Sequence, residues 1–167
     1  MKIVACQDLP EASLLAPYRA ARAYTDAFHV DVPQTVALPA FIDAFYTTWL
    51  FKLERLVLAT LVARPSSDAE ARALADGQRT RFAAWTVEAH DDRQIVMCDF
   101  LHKTRSWLTV EPLHTGTRLW FGSAIVPERI RPDGRAQLGA GFDQLVWFHR
   151  LYSRALLKAA ARRVASY

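Results

Sequence analysis

The residues best suited to chemistry are a carboxylate and two hydroxyls that strand pairing gathers into one row: Asp99, Ser106 and Ser123. If Leu101 pairs with Thr104 across a two-residue turn, Asp99 falls opposite Ser106, Met97 opposite Leu108 and Ile95 opposite Val110. If Glu111 meets Arg118 across the next hairpin as a cross-strand charge pair, Ser106 falls opposite Ser123 and Trp107 opposite Gly122. Extended backwards, the register pairs Ala84 with Asp99 and Thr86 with Met97, which surrounds the row with Phe82, Thr86, Ile95, Met97, Leu108, Phe121 and Ile125. A carboxylate flanked by hydroxyls on an apolar wall can orient a mostly apolar molecule. The same groups could instead satisfy one another within the fold, or face water if the register slips by one residue. A buried carboxylate with a raised pKa can also serve as an acid or base.

His149 is the second candidate. In helical projection it sits on the apolar side beside Phe142 and Leu156, with Tyr152 and Ser153 at its margins. There it would meet a ligand across a cavity from the Asp99 row and could share a proton with it. The alternative is a core histidine bonded to a backbone carbonyl. The expected contact set is therefore Asp99, Ser106, Ser123, His149 and Tyr152.

Positioning these groups requires a sheet and a long helix. Apolar and polar residues alternate over 24–32, the period of a half-buried strand ended by Pro33. Ile42, Phe45, Tyr46, Trp49, Leu53, Leu56 and Val57 recur at helical spacing after Pro39, with a break expected near Thr47-Thr48. Ser67-Asp68-Ala69-Glu70 has the spacing of a capping box, and Gly77 supplies a stop. Four strand-like runs follow at 81–89, 94–101, 104–111 and 118–126, joined by hairpin-sized linkers. Pro132-Asp133-Gly134 marks a turn before a helix over 137–164. The reading is a single α+β domain spanning 1–167, with an antiparallel meander and a long C-terminal helix.

Both faces of that meander are apolar, because Trp85, Val87, Val96, Cys98, Phe100, Trp107 and Trp120 occupy the other side. Both must be covered, since large exposed apolar patches are rare on monomers. The C-terminal helix can cover one; the earlier helix, the N-terminal segment, a second subunit or a ligand must cover the other.

Composition narrows the function classes. With 51% hydrophobic and 23% charged residues in a chain of 167, a folded core is expected. The net charge of +4 is concentrated at the end: Arg150, Arg154, Lys158, Arg162 and Arg163 stand against Asp143 alone after residue 136. Arg150, Arg154, Lys158 and Arg162 make one stripe, with Trp147 and Leu151 beside it, which suggests a solvated face, a subunit interface or contact with anionic lipid. A single stripe without aromatics interleaved on a strand is a poor nucleic-acid footprint, so no nucleic acid is expected. Cys6 and Cys98 lack paired spacing, the five histidines are scattered, and phosphate-loop, nucleophile-elbow and zinc-helix motifs are absent. No metal or cofactor is expected. The short apolar start and the charges within 46–62 argue against a signal peptide and a bilayer span, which leaves a cytoplasmic expectation.

Strand, helix, meander and terminal helix in that order resemble the helix-grip fold of the START and birch-pollen-allergen-like superfamily. Tyr24-Thr25-Asp26-Ala27-Phe28, the strand over 104–111, Leu119-Trp120-Phe121-Gly122 and Phe148-His149-Arg150-Leu151-Tyr152 look like a bacterial branch of it. The resemblance implies a sheet wrapped around the last helix and a cavity between them for small apolar molecules. Some relatives are cyclases or dehydratases and many only bind, and no shared catalytic motif carries over. The superfamily has six or seven strands where five are read here, so that strands are either missing or hidden near residues 64–80, or the cavity is small. Three functions remain: a binding domain for a small apolar molecule, a cyclase or dehydratase using Asp99 or His149, and a homo-oligomeric domain, for example a homodimer, with Trp85, Trp107, Trp120 or the Trp147-Leu151 edge between subunits.

Overall fold

The computed structural model describes residues 2–6, 8–10, 12–61, 63–127, 129–130, 136–137 and 142–166. A short strand β1 (Val4–Cys6) and a one-turn helix α1 (Ala16–Ala20) precede β2 (Tyr24–Val32), which coincides with the alternating run. Helix α2 (Leu38–Tyr46) ends at the two threonines and α3 (Trp49–Leu61) begins after them. At the break, Thr47 and Thr48 donate their hydroxyls to the carbonyls of Asp43 and Phe45 at 2.6 and 2.9 Å. Thr48 Oγ1 then accepts the N–H of Phe51 at 3.2 Å, which caps α3. Helix α4 (Asp68–Ala75) starts on the expected capping box between Ser67 and Glu70.

Strands β3 (Arg81–Phe82), β4 (Trp85–His90), β5 (Gln94–Asp99), β6 (Thr104–Leu113) and β7 (Gly116–Ile125) form the meander. A separate ribbon of β8 (Arg129–Ile130) and β9 (Ala136–Gln137) leads to α5 (Phe142–Val164). The turn expected at 132–134 and the stretch 138–141 of the expected helix lie outside the described residues, as do the side chains of 142–145.

The main sheet is antiparallel and seven-stranded, in the order β1-β2-β7-β6-β5-β4-β3. The two strands beyond the expected five do not come from 64–80, which holds α4 and turns. One is β1, too short to show a period. The other arises because Ala83 takes a positive φ of 51°, which divides the expected strand 81–89 in two. The chain is thus α+β, an open antiparallel sheet with the C-terminal helix on one face, the arrangement the resemblance implies.

Pairing of β6 with β7 follows the expected register, including Ser106 opposite Ser123, Trp107 opposite Gly122 and Glu111 opposite Arg118. Pro112 fits in β6 because the described pairing with β5 reaches only Thr109, so its missing N–H costs no bond on that side. The β5–β6 register is corrected by two residues: Met97, not Asp99, faces Ser106, and Ile95 faces Leu108. A wider turn than the expected two-residue one is responsible, with His102 at a positive φ of 57°. The β4–β5 register is corrected by one over Trp85 to Val87, with Trp85 opposite Asp99, and by two beyond a bulge after Val87, with Ala89 opposite Val96. That slip turns Trp85 and Val87, rather than Thr86, toward the helices.

Each sheet face has its own cover. Phe28, Val30, Ile95, Met97, Leu108, Leu119 and Phe121 pack against α2, α4 and the second half of α5, including Phe41, Phe45, Leu74, Leu156 and Leu157. The opposite face buries Trp107, Trp120, Val96 and Ala124 under Leu15, with Leu9, Leu14 and Tyr18 alongside. The N-terminal segment therefore supplies the second cover. Trp107 is 0% exposed and Trp120 7%, so neither is available between subunits, contrary to that expectation. Among the described residues no helix is long and apolar enough to cross a membrane.

Candidate functional site

Strands β2, β7 and β6 lie side by side and bring three polar residues to the helix-covered face, with Asp26 opposite Ser123 and Ser123 opposite Ser106. Helix α5 lies across this part of the sheet. His149 thereby brings Nε2 to 2.6 Å from Ser123 Oγ, 3.4 Å from Ser153 Oγ and 3.6 Å from Asp26 Oδ2. Ser123 donates a hydrogen bond to Asp26 Oδ1, and the Tyr24 hydroxyl donates to Oδ2 at 3.3 Å. Ser123 has one hydroxyl proton, and an ionised carboxylate only accepts. With the Ser123 proton directed at Asp26, Ser123 Oγ can only accept on its other side, so Nε2 of His149 is the donor in the 2.6 Å contact. Burial and the neighbouring Asp26 push the Tyr24 phenol up to about 12, so it acts here as a hydrogen-bond donor.

A second polar contact lies one helical turn further along α5. Three residues beyond His149, Tyr152 donates its hydroxyl to Glu54 Oε2 of α3 at 2.7 Å. Burial raises the Glu54 carboxyl above its ordinary value, opposed by the Tyr152 bond and by the nearby His149. Tyr152 is itself raised, by burial and then by the Glu54 charge. The indole N–H of Trp85 approaches Glu54 closely enough to favour its charge. It is nonetheless buried without a partner in hydrogen-bond geometry.

Ser123 and His149 from the first group and Glu54 and Tyr152 from the second line one cavity of about 290 Å³. Its walls are mainly apolar, from Phe45, Phe51, Trp85, Phe121, Ile125 and Leu156, while Glu54, Ser106, Ser123, His149, Tyr152 and Ser153 interrupt them. Phe148 lines the cavity and is 61% exposed, so the cavity reaches the surface there. Its ring stacks on Tyr152, with centroids 6.3 Å apart and planes inclined by 4°.

Four of the five expected contact residues, Ser106, Ser123, His149 and Tyr152, line this cavity. Asp99 does not. It ends β5 and accepts the backbone N–H groups of Lys103 and Thr104 at 2.7 and 2.8 Å, holding the β5–β6 turn. The carboxylates near the cavity are Asp26 and Glu54, neither of which the sequence reading selected. Asp26 was hidden because the β2–β7 pairing joins residues about a hundred positions apart. Glu54 left one signal, a carboxylate within a mostly apolar helical run.

No protein-family model matches the chain. No curated protein matches it either. Among solved structures it is similar to that titled "Crystal structure of Ara h 8.0201", with 11% sequence identity and a TM-score of 0.41, over 87% of this chain and 99% of that one. So remote a likeness adds no weight, and the fold stands on the strand order and the placement of α5 described above.

Proposed function

We propose that this protein binds a small, mostly apolar molecule bearing at least one hydrogen-bonding group, held between the sheet and α5. The observation that carries this reading is the 290 Å³ cavity with polar groups converging from opposite walls. Small-molecule sites are largely apolar concavities with a few placed polar groups. The unpartnered Trp85 N–H would donate to a ligand acceptor, and His149 and the Tyr152–Glu54 pair offer further bonds.

The test is native mass spectrometry of protein purified without detergent, followed by extraction and identification of any released molecule. A stoichiometric extra mass that disappears in His149→Leu supports the reading. An empty protein that also shows no saturable binding to a panel of small phenols, ketones and terpenoids would sink it.

A second reading is an enzyme of the cyclase or dehydratase type. Its support is that Glu54, a carboxyl raised by burial, and His149 border the same space, as an acid–base pair must. Asp99 has no part in it. Turnover of a bound compound that stops in Glu54→Gln while binding persists would favour this second reading.

A further inference from the structure

Helix α3 turns four large apolar side chains outward, with Lys52 and Thr60 exposed beside them. Trp49, Leu53, Leu56 and Val57 are 66%, 53%, 61% and 52% exposed, at the i, i+4, i+7, i+8 spacing that normally faces a core. Beside it, joined through the Tyr152–Glu54 bond, α5 exposes Trp147, Phe148 and Leu151 at 69%, 61% and 53%. Seven large apolar side chains on two adjacent helices form a concentration unusual for a free surface.

We propose that this face docks on the surface of an anionic lipid bilayer. The charge pattern selects that occupant. Arg150, Arg154, Lys158 and Arg162 are exposed along α5, and the described side chains of α5 include no carboxylate. On α3 the lone carboxylate is Glu54, turned inward to Tyr152. Aromatic and aliphatic residues bordered by arginine and lysine match the interface between acyl chains and anionic headgroups. A second copy meeting this face symmetrically would bring two positive stripes together, which disfavours that occupant.

The position of the cavity gives the docking a use. Phe148 belongs both to the exposed face and to the cavity wall, so the opening is presented to the bilayer. An apolar molecule dissolved in the membrane could then pass into the cavity without crossing water. This use rests on the ligand reading above; the docking does not.

The test is cosedimentation of the full chain with vesicles of phosphatidylcholine alone or mixed with phosphatidylglycerol. Binding is expected to the mixed vesicles, to weaken with salt, and to fall roughly fivefold for each basic residue neutralised among Arg154, Lys158 and Arg162. Trp147→Ser with Leu151→Ser should abolish it without changing Tm, because both residues are exposed. No binding to mixed vesicles, or binding untouched by that double substitution, would overturn the proposal. So would a dimer, seen by light scattering, that the substitution dissolves while the wild type ignores vesicles. Vesicle binding by a protein that takes up no small molecule would defeat the ligand reading alone; ligand uptake without vesicle binding would defeat the docking alone.

Discussion

Ser123 Oγ and His149 Nε2 lie 2.6 Å apart, one on β7 and the other on α5, so the helix is tied to the sheet through the same hydroxyl that serves Asp26. Asp26 is 8% exposed, and losing that hydroxyl leaves it short of a donor. Ser123→Ala should therefore destabilise the protein by about 1–3 kcal/mol, the usual cost of an unsatisfied buried polar group. Urea denaturation measures this. A loss within experimental error would mean that Asp26 recruits water and that the network does not depend on Ser123.

Asp99→Ala makes the opposite comparison. Its carboxylate accepts two backbone N–H groups of the β5–β6 turn and lies outside the cavity. The substitution should cost about 1–3 kcal/mol in denaturation while leaving ligand stoichiometry in native mass spectra unchanged. Unchanged stability with lost binding would return Asp99 to the site.

These two residues show what could be read from sequence alone. Alternation placed β2, and the Glu111–Arg118 pair placed the β6–β7 register, although Arg118 is closer to Asp31, at 2.7 Å, than to Glu111, at 3.9 Å. Where a residue other than glycine took a positive φ, the inference failed, because such a conformation leaves little trace in residue type: Ala83 divided an expected single strand, and His102 widened the β5–β6 turn and shifted its register. Asp26 and Glu54 could not be found from spacing. Their partners, Ser123 and Tyr152, stand 97 and 98 positions away, and only the closed fold brings them near.

Gly122 sits opposite Trp107 on the face covered by the N-terminal segment. A Cβ there would lie 2.8 Å from the Trp107 ring, 2.9 Å from the Asp26 carbonyl oxygen and 3.1 Å from Leu15. Gly122→Ala should cost about 1–3 kcal/mol through overpacking, read as a lowered urea midpoint with altered tryptophan fluorescence. If the variant were as stable as the wild type, the segment around Leu15 would have to shift freely, and the second core would be looser than its burial indicates.

Glu54 sets a pH dependence with a definite sign. Burial lifts its carboxyl above the ordinary 4.5, more than the Tyr152 hydroxyl and His149 offset. A carboxyl whose pKa is higher folded than unfolded favours the folded state below the unfolded value, and that advantage is lost as pH rises through the folded value. The stability gap between Glu54→Gln and wild type should therefore widen in favour of the variant as pH rises above 4.5, reaching a plateau once the native carboxyl is ionised. Tyr152→Phe removes a hydrogen bond that favours the ionised form, so it should move the same transition to higher pH. Tm values for all three proteins across roughly pH 4 to 8 decide this. A flat difference would mean that Glu54 is solvated like a surface carboxylate. Repeating the series with ligand present would show what reaches the carboxyl: a hydrogen-bond donor would shift the transition down, whereas an apolar group that excludes water would shift it up.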